Sequence, residues 1–158
     1  YAVEHGHFDV MESLLKHKAS TYNRYGGGLT VLSIAAKHGH LEVVNSLIES
    51  GAKVDTVSTL GNTPLMLAAD RGFTKVVLRL TEAGADVNKI NLNGNSPLLL
   101  AIINSKTETV ALLLEKGANP NVRNKKREEA ETLARGKDDI LALLKRNKNE
   151  RKKILGLF

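Results

Sequence analysis

The same residue types recur along this chain every 33 positions. Five series share one register, and their members are Gly28, Gly61 and Gly94; Leu32, Leu65 and Leu98; Ala35, Ala68 and Ala101; Gly6, Gly39 and Gly72; and Gly51, Gly84 and Gly117. Several independent series in a single register do not arise by chance. A period of this length indicates a stack of repeated units, each of which buries its apolar face against its neighbours.

Each unit is expected to fold as two short helices followed by an extended arm. Thr30, Thr63 and Ser96 occupy the position of a helix N-cap, where a hydroxyl accepts an otherwise unpaired backbone N–H. Gly39 and Gly72 fit a left-handed C-cap, and apolar residues at helical spacing follow each of them. The sequence therefore predicts an all-α solenoid of helix-turn-helix units with β-hairpin-like arms.

One segment carries a family resemblance. Residues 61–88, GNTPLMLAADRGFTKVVLRLTEAGADVN, resemble an ankyrin repeat almost position for position, and the resemblance extends from residue 1 to about residue 146. It implies an ankyrin-repeat solenoid that acts as a protein–protein interaction scaffold and not as an enzyme. The signature His of the family is replaced here, in register, by Ser33, Met66, Leu99 and Thr132, and Ser105 replaces an inter-helix glycine.

The register divides the chain into six segments. These are a partial first unit at 1–22, ankyrin repeats at 23–56, 57–89 and 90–122, a degenerate capping repeat at 123–146, and a basic tail at 147–158. In the capping repeat we expect the link between the two helices to be two residues shorter than elsewhere. Because residue 1 falls in the middle of a unit, we expect the chain to be part of a longer protein.

The net charge of +6 is concentrated at the C-terminal end. Residues 123–158 contain 12 Lys/Arg and 6 Asp/Glu, which leaves residues 1–122 neutral. The basic run 145–153 is followed by Ile154, Leu155, Leu157 and Phe158. It is interpreted as a solvated extension of the last helix; the alternatives are a nuclear-import signal, contact with nucleic acid or an anionic membrane, and a helix that docks a partner. Nucleic-acid binding as the main function is disfavoured because no aromatic residues interleave the basic ones.

No pattern in the sequence indicates catalysis, a cofactor or a metal. The pairs His5/His7 and His38/His40 lack further ligands at metal-binding spacing, and no Gly-Lys-Ser/Thr follows Gly26–Gly28 to make a phosphate loop. The absence of Cys favours a reducing, cytoplasmic location, with the nucleus, or a host cytosol for a secreted microbial effector, as alternatives. No apolar run is long enough to span a bilayer.

The resemblance also implies where a partner protein binds, since ankyrin repeats use the concave face formed by the arm tips and the first helices. We expect the chain to be monomeric and its partner-binding residues to be Arg24, Tyr25, Leu29, Lys37, His38, Val57, Leu60, Asp70, Arg71, Ile90, Leu92 and Ile103. Many of those at the tips are apolar, as is common at interaction sites. The alternative is that some of them pack between neighbouring arms.

Two asparagines in the arms have a second interpretation. Asn88 and Asn121 lie where ankyrin repeats resemble substrates of an asparagine hydroxylase, which implies modification of their side chains. The alternative is a purely structural role in the arm.

Overall fold

The computed structural model describes residues 23–154 and 156. The partial first unit, with His5 and His7, lies outside the described residues. Within them, eight α-helices form four consecutive pairs, and there is no β-strand beyond a single bridge between Tyr25 and Leu29. The predicted all-α solenoid of helix pairs is confirmed.

The first helices of the four pairs are α1, α3, α5 and α7, and the second helices are α2, α4, α6 and α8. Their bounds are α1 Val31–His38, α2 Leu41–Glu49, α3 Pro64–Arg71, α4 Thr74–Glu82, α5 Pro97–Ile103, α6 Thr107–Glu115, α7 Ala130–Leu133 and α8 Asp138–Ile154. Between one pair and the next the chain forms an arm. The four arm tips are residues 23–29, 57–62, 90–95 and 123–128.

The first three pairs begin at the predicted caps. The hydroxyl oxygens of Thr30, Thr63 and Ser96 accept the backbone N–H three residues later, at 3.2, 3.2 and 3.3 Å. All three side chains are buried, so each hydroxyl also removes an unpaired backbone donor from the interior. The N-cap prediction is confirmed.

The fourth pair differs from the prediction. The link between α7 and α8 is not shortened but has four residues where the other links have two or three; α7 is the shortened element, with four residues where the other first helices have seven or eight. The reason is the position of Gly136, which adopts a left-handed φ of 77° two positions before the place where the register would put the inter-helix turn. The chain therefore leaves the helix early.

The first helices pack more closely than the second helices do. Ala35, Ala68 and Ala101 have no exposed surface, and α1, α3 and α5 contact one another more extensively than α2, α4 and α6 do; at the last pair α6 and α8 are in more extensive contact than α5 and α7. A side chain that ends at Cβ lets two backbones approach, whereas the second helices are held apart by Val and Leu side chains such as Val77 and Leu80. The first three pairs are therefore stacked more tightly along their first helices than along their second helices.

A chain of backbone hydrogen bonds joins the four tips. Thr59 N–H donates to Gly27 O at 2.9 Å, Leu92 N–H to Leu60 O at 3.1 Å, and Lys125 N–H to Asn93 O at 2.9 Å. Each tip is thus fixed to the tip before it, without any need for a β-sheet.

The glycine at each tip makes this close approach possible. A Cβ on Gly61 would lie 3.0 Å from Leu92 N, and one on Gly94 would lie 3.0 Å from Lys125 N, while both residues also have a left-handed φ. In the fourth tip the same register position holds Arg127, with a φ of 62°. Among the described residues no further arm follows Arg127, so its side chain has room, although its backbone is strained.

This contrast predicts opposite effects of two substitutions on the free energy of unfolding. Arg127→Gly should raise it by about 0.5–1 kcal/mol, because the left-handed penalty of about 1–2 kcal/mol exceeds the entropy that glycine loses on folding. Gly94→Ala should lower it by at least about 1 kcal/mol, because strain and crowding are both added. Urea unfolding followed by circular dichroism measures both changes. A loss of stability in Arg127→Gly would contradict the proposed backbone strain.

Candidate binding surface

The two central tips present apolar side chains to solvent. Leu60 is 63% exposed, Leu92 58%, Ile90 53% and Val57 36%. On the first tip Tyr25 is 51% exposed, whereas Leu29 is half-buried. Leu29 is therefore less exposed than the other apolar side chains of the tips, which remain open to contact.

Short polar side chains fix the backbone of these tips through hydrogen bonds. Asn91, which is buried, accepts the backbone N–H groups of Asn93 and Asn95 at 2.9 and 3.0 Å and donates to Asn62 Oδ1 at 2.8 Å. Ser58 Oγ accepts two backbone N–H groups at the equivalent position of the second tip. Hydrogen bonds within the chain therefore fix the conformation of these tips without a partner.

The fourth tip repeats this anchor. Asn124 Oδ1 accepts the N–H groups of Lys126 and Glu128 at 3.0 Å each, and its Nδ2 donates to Asn95 Oδ1 at 3.2 Å. Positions 58, 91 and 124 are spaced by 33 residues, so the recurrence of a small polar residue at this point of the repeat could have revealed the anchor. Sequence reasoning missed it because these small polar residues resemble ordinary loop residues.

Arg24 connects the first tip to the second. Its Nη1 donates to Gly28 O at 2.9 Å and to Val57 O at 2.7 Å. Thr59 adds a side-chain hydrogen bond to Gly27 O at 3.0 Å. The guanidinium that was predicted to contact a partner is already used to position the neighbouring tip, while the adjacent Tyr25 ring projects into solvent.

The predicted residues on the first helices lie near their C-terminal ends. Lys37 is half-buried and His38 is exposed at the end of α1, and the His38 ring stacks on that of His40 with centroids 6.0 Å apart. At the end of α3, Asp70 accepts a hydrogen bond from Asn104 Nδ2 at 2.8 Å.

Beside Asp70, Arg71 is exposed and lies 3.6 Å from the Asp70 carboxylate. Ile103, the last residue of α5, is 41% exposed. The face formed by the three helix ends is therefore mixed, with one apolar side chain among polar ones.

The surface changes from apolar to basic along the stack. Arg123, Lys125, Lys126 and Arg127 are all exposed on the fourth tip. Arg123 alone of these four has an ion pair with a described residue, Glu129 at 3.4 Å. A partner that covers the central tips and reaches the fourth would therefore meet a positive potential at that end.

Phe73 is an exposed apolar residue that sequence reasoning missed. It is 36% exposed and directly follows the left-handed Gly72, on the side of the helices away from the tips. Its ring lies over Gly39, where an added Cβ would come within 2.7 Å of the ring carbons. Lys106 takes the same position over Gly72 in the next unit. In these two units the residue after the inter-helix turn packs on the turn of the preceding unit, which gives Phe73 a structural role.

Asn88 connects two arms. Its Oδ1 accepts Asn119 N–H at 2.8 Å, and its Nδ2 donates to Gly117 O at 3.4 Å. The backbone N–H of Asn121 donates to Asn119 Oδ1 at 3.0 Å. These hydrogen bonds give Asn88 a structural role in the arm; hydroxylation of Asn88 or Asn121 stays an untested hypothesis.

The described residues contain no cluster of three or more His, Asp or Glu side chains that could hold a metal ion. A shallow cavity of about 320 Å³ lies between the last arm and α8, lined by Pro120, Asn121, Leu144, Asn147 and Arg151 among others. None of the helices from residue 23 onward, as far as the structure describes them, is long and apolar enough to cross a membrane.

The anchoring role of Asn91 can be tested against a neighbour on the same tip. Asn91→Ala should lower the free energy of unfolding by roughly 1–3 kcal/mol, because it leaves backbone N–H groups without their acceptor. Asn93→Ala should change it by less than about 0.5 kcal/mol, since that side chain is exposed. Chemical denaturation of the two variants beside the parent checks this. Equal effects would mean that Asn91 does not hold the tip.

Comparison with known protein families agrees with this geometry. A family model described as "Ankyrin repeats (3 copies)" matches residues 1–58 and residues 32–124, so that the matches cover more than half of the chain. No curated protein matches the sequence. Ankyrin repeats are generally non-catalytic scaffolds for protein–protein interaction. With its 33-residue helix pairs, capped first helices and joined arm tips, this chain belongs to the ankyrin-repeat family.

Proposed function

We propose that this chain binds a partner protein through its concave face and catalyses no reaction of its own. The observation that carries the proposal is the group of exposed apolar side chains, Leu60, Ile90 and Leu92, on the two central tips. The proposed contact residues are Arg24, Tyr25, Leu29, Lys37, His38, Val57, Leu60, Asp70, Arg71, Ile90, Leu92 and Ile103.

Burial of these side chains supplies the free energy of binding. Complete burial of a Leu or Ile side chain contributes roughly 1.5–3 kcal/mol, and these three are more than half exposed in the free protein. Their backbone is already fixed by the hydrogen bonds between tips, so little conformational entropy is lost when a partner binds. Rigid apolar anchors of this kind are typical of interaction hot spots.

The charge of the neighbouring tip indicates the chemistry of the partner. Lys125, Lys126 and Arg127 are exposed beside the apolar central tips and have no ion pair with a described residue. We therefore infer a partner segment that has apolar side chains opposite the second and third tips and acidic side chains opposite the fourth. The charges would speed association and select the orientation of the partner, while the apolar contacts would hold the complex.

A double substitution tests the proposed face. The variant Leu60→Asp with Leu92→Asp, used beside the parent as bait in a cell lysate, should lose the partner that the parent captures. The physical reason is that two carboxylates would have to be buried against apolar side chains without a counter-ion. Mass spectrometry of the captured proteins gives the result, and thermal melts establish that both baits are folded.

The matched control adds the same two carboxylates elsewhere. Ala142→Asp with Asn149→Asp places them at exposed positions of α8, away from the tips, and should capture the same partner as the parent. If the tip variant also captures an unchanged set of proteins, the proposed face is wrong.

A further inference from the structure

The last helix extends well beyond its counterparts. α8 has 17 residues, whereas α2, α4 and α6 have nine each. At a rise of about 1.5 Å per residue, the eight extra residues lengthen α8 by about 12 Å. The prediction that the basic segment continues the last helix is confirmed as far as Ile154.

A groove runs along one side of the lengthened helix. Two concavities of about 320 and 410 Å³ lie beside α8, and they adjoin because Glu131 and Lys148 line both of them. Together they follow α8 from Leu141 to Lys152, which is a distance of about 16 Å at the rise of a helix. We call this groove, between residues 141–152 of α8 and the segment 120–131, the α8 groove.

Four cations of α8 line the groove, and three of them are lysines that form a row. Lys145 and Lys152 are exposed and take part in no hydrogen bond or ion pair with another residue that the structure describes. Lys148 lies 3.3 Å from Glu131, but both side chains are more than half exposed. Such a pair contributes little to stability and can open when a ligand binds. At about 100° per residue, the three lysines lie within about 60° of one another on α8.

The fourth cation, Arg151, fixes the end of α8 beside the groove. The half-buried Arg151 donates through Nη2 to the backbone oxygen of Ala118 at 3.0 Å, which ties α8 to the arm leading to the fourth tip. A guanidinium has several N–H donors, so others remain for an acceptor in the groove. Like Lys148 and Lys152, Arg151 belongs to the extension of α8, so a last helix of nine residues would lack this wall.

The rest of the lining is apolar and acidic. Leu144 is 3% exposed, and Leu141 is half-buried. Glu129, which pairs with Arg123 at 3.4 Å, and Glu131 line the groove from outside α8. Four cations less two carboxylates leave a net charge of +2 in the lining. This lining suits a ligand with separated negative charges and apolar groups, whereas a continuous polyanion would meet both carboxylates.

We propose that the α8 groove binds an extended segment of a partner protein in which acidic and apolar residues alternate. Successive lysines of the row are about 4.5 and 6 Å apart along the helix axis. Side chains on one side of an extended peptide are about 6.6 Å apart, so alternate acidic residues can pair with consecutive lysines. The residues between them would contact Leu144 and Pro120. About five residues of extended chain fill the length of the groove.

Other anionic ligands fit this lining less well. A peptide brings backbone N–H and C=O groups, which the side-chain amides of Asn121 and Asn147 can pair. The lining has no aromatic side chain on which nucleic-acid bases could stack. The flat surface of a bilayer would contact the rim of the groove and leave its interior empty. A peptide therefore uses the cationic, amide and apolar groups together.

Fluorescence anisotropy with the whole 158-residue chain tests the proposal. The probe is a fluorescein-labelled nonapeptide in which Glu and Leu alternate, and it should bind. The same peptide with Gln in place of Glu should bind about tenfold more weakly, because the ion pairs are lost. The peptide with Ser in place of Leu should also bind about tenfold more weakly, because the apolar contacts are lost.

A variant and a matched control locate the site. Lys148→Gln with Lys152→Gln should weaken binding of the Glu-Leu peptide about tenfold. Lys53→Gln with Lys75→Gln changes the net charge equally at exposed positions outside the groove, and it should leave binding within about twofold of the parent. Circular dichroism establishes that both variants are folded.

The groove and the proposed concave face can be tested separately. None of the proposed contact residues of the concave face lines the α8 groove. The variant Leu60→Asp with Leu92→Asp should therefore bind the Glu-Leu peptide within about twofold of the parent. Failure of one proposal would leave the other intact.

Three results would overturn the proposed peptide site. The first is failure of the parent chain to bind the Glu-Leu peptide, and the second is an equal loss in the two double-lysine variants, which would show that net charge alone is responsible. The third is displacement of the peptide by a short single-stranded RNA that binds more tightly and is itself weakened by Lys148→Gln with Lys152→Gln. That result would assign the groove to nucleic acid.

Discussion

Close contact between neighbouring units is the constraint on which the rest of this structure depends. No helix pair encloses a core of its own, and the buried alanines of the first helices complete the interior only when the next unit is in place. The same closeness recurs at the tips, where a glycine in one arm leaves just enough room for the backbone of the next. Changes to either contact therefore act on two units at once.

This constraint explains how a stack without a β-sheet can present a defined surface. The hydrogen bonds from Thr59, Leu92 and Lys125 fix each tip on the previous one, and Asn91 and Asn124 fix the turn within a tip. Stability and the proposed binding are thereby assigned to different atoms. Backbone groups and small polar side chains hold the tips, and the outward side chains, such as Leu60, are the ones that we propose to contact a partner.

The sequence predicted those features that repeat because of local chemistry. The caps at Thr30, Thr63 and Ser96 and the left-handed glycines Gly39 and Gly72 were predicted correctly, because each position admits few residue types. The fold class follows from them. The shortening of the fourth unit was predicted for the link between its helices and is found in α7. A count of residues shows that the unit is two residues short but not which element is shortened.

Features that depend on neighbouring units were harder to predict. Arg24 stays among the proposed contact residues, but the hydrogen bond of its guanidinium to a carbonyl 33 residues away could not be predicted from the residue type. Whether Leu29 or Leu60 is exposed depends on how two arms meet, which the residue type does not specify. The 12 predicted contact residues stay a proposal, and the exposed Phe73 lies outside them.

The most direct measurement of the proposed binding face is methyl NMR of the chain with and without a partner recovered from lysate. If the concave face binds the partner, the methyl signals of Leu60, Ile90 and Leu92 will shift or broaden when the partner is added, while those of the buried Leu80 and of Ile154 on α8 will stay in place. Shifts confined to the second helices or to α8, with the three tip residues unchanged, would contradict the assignment of the concave face as the site of partner binding.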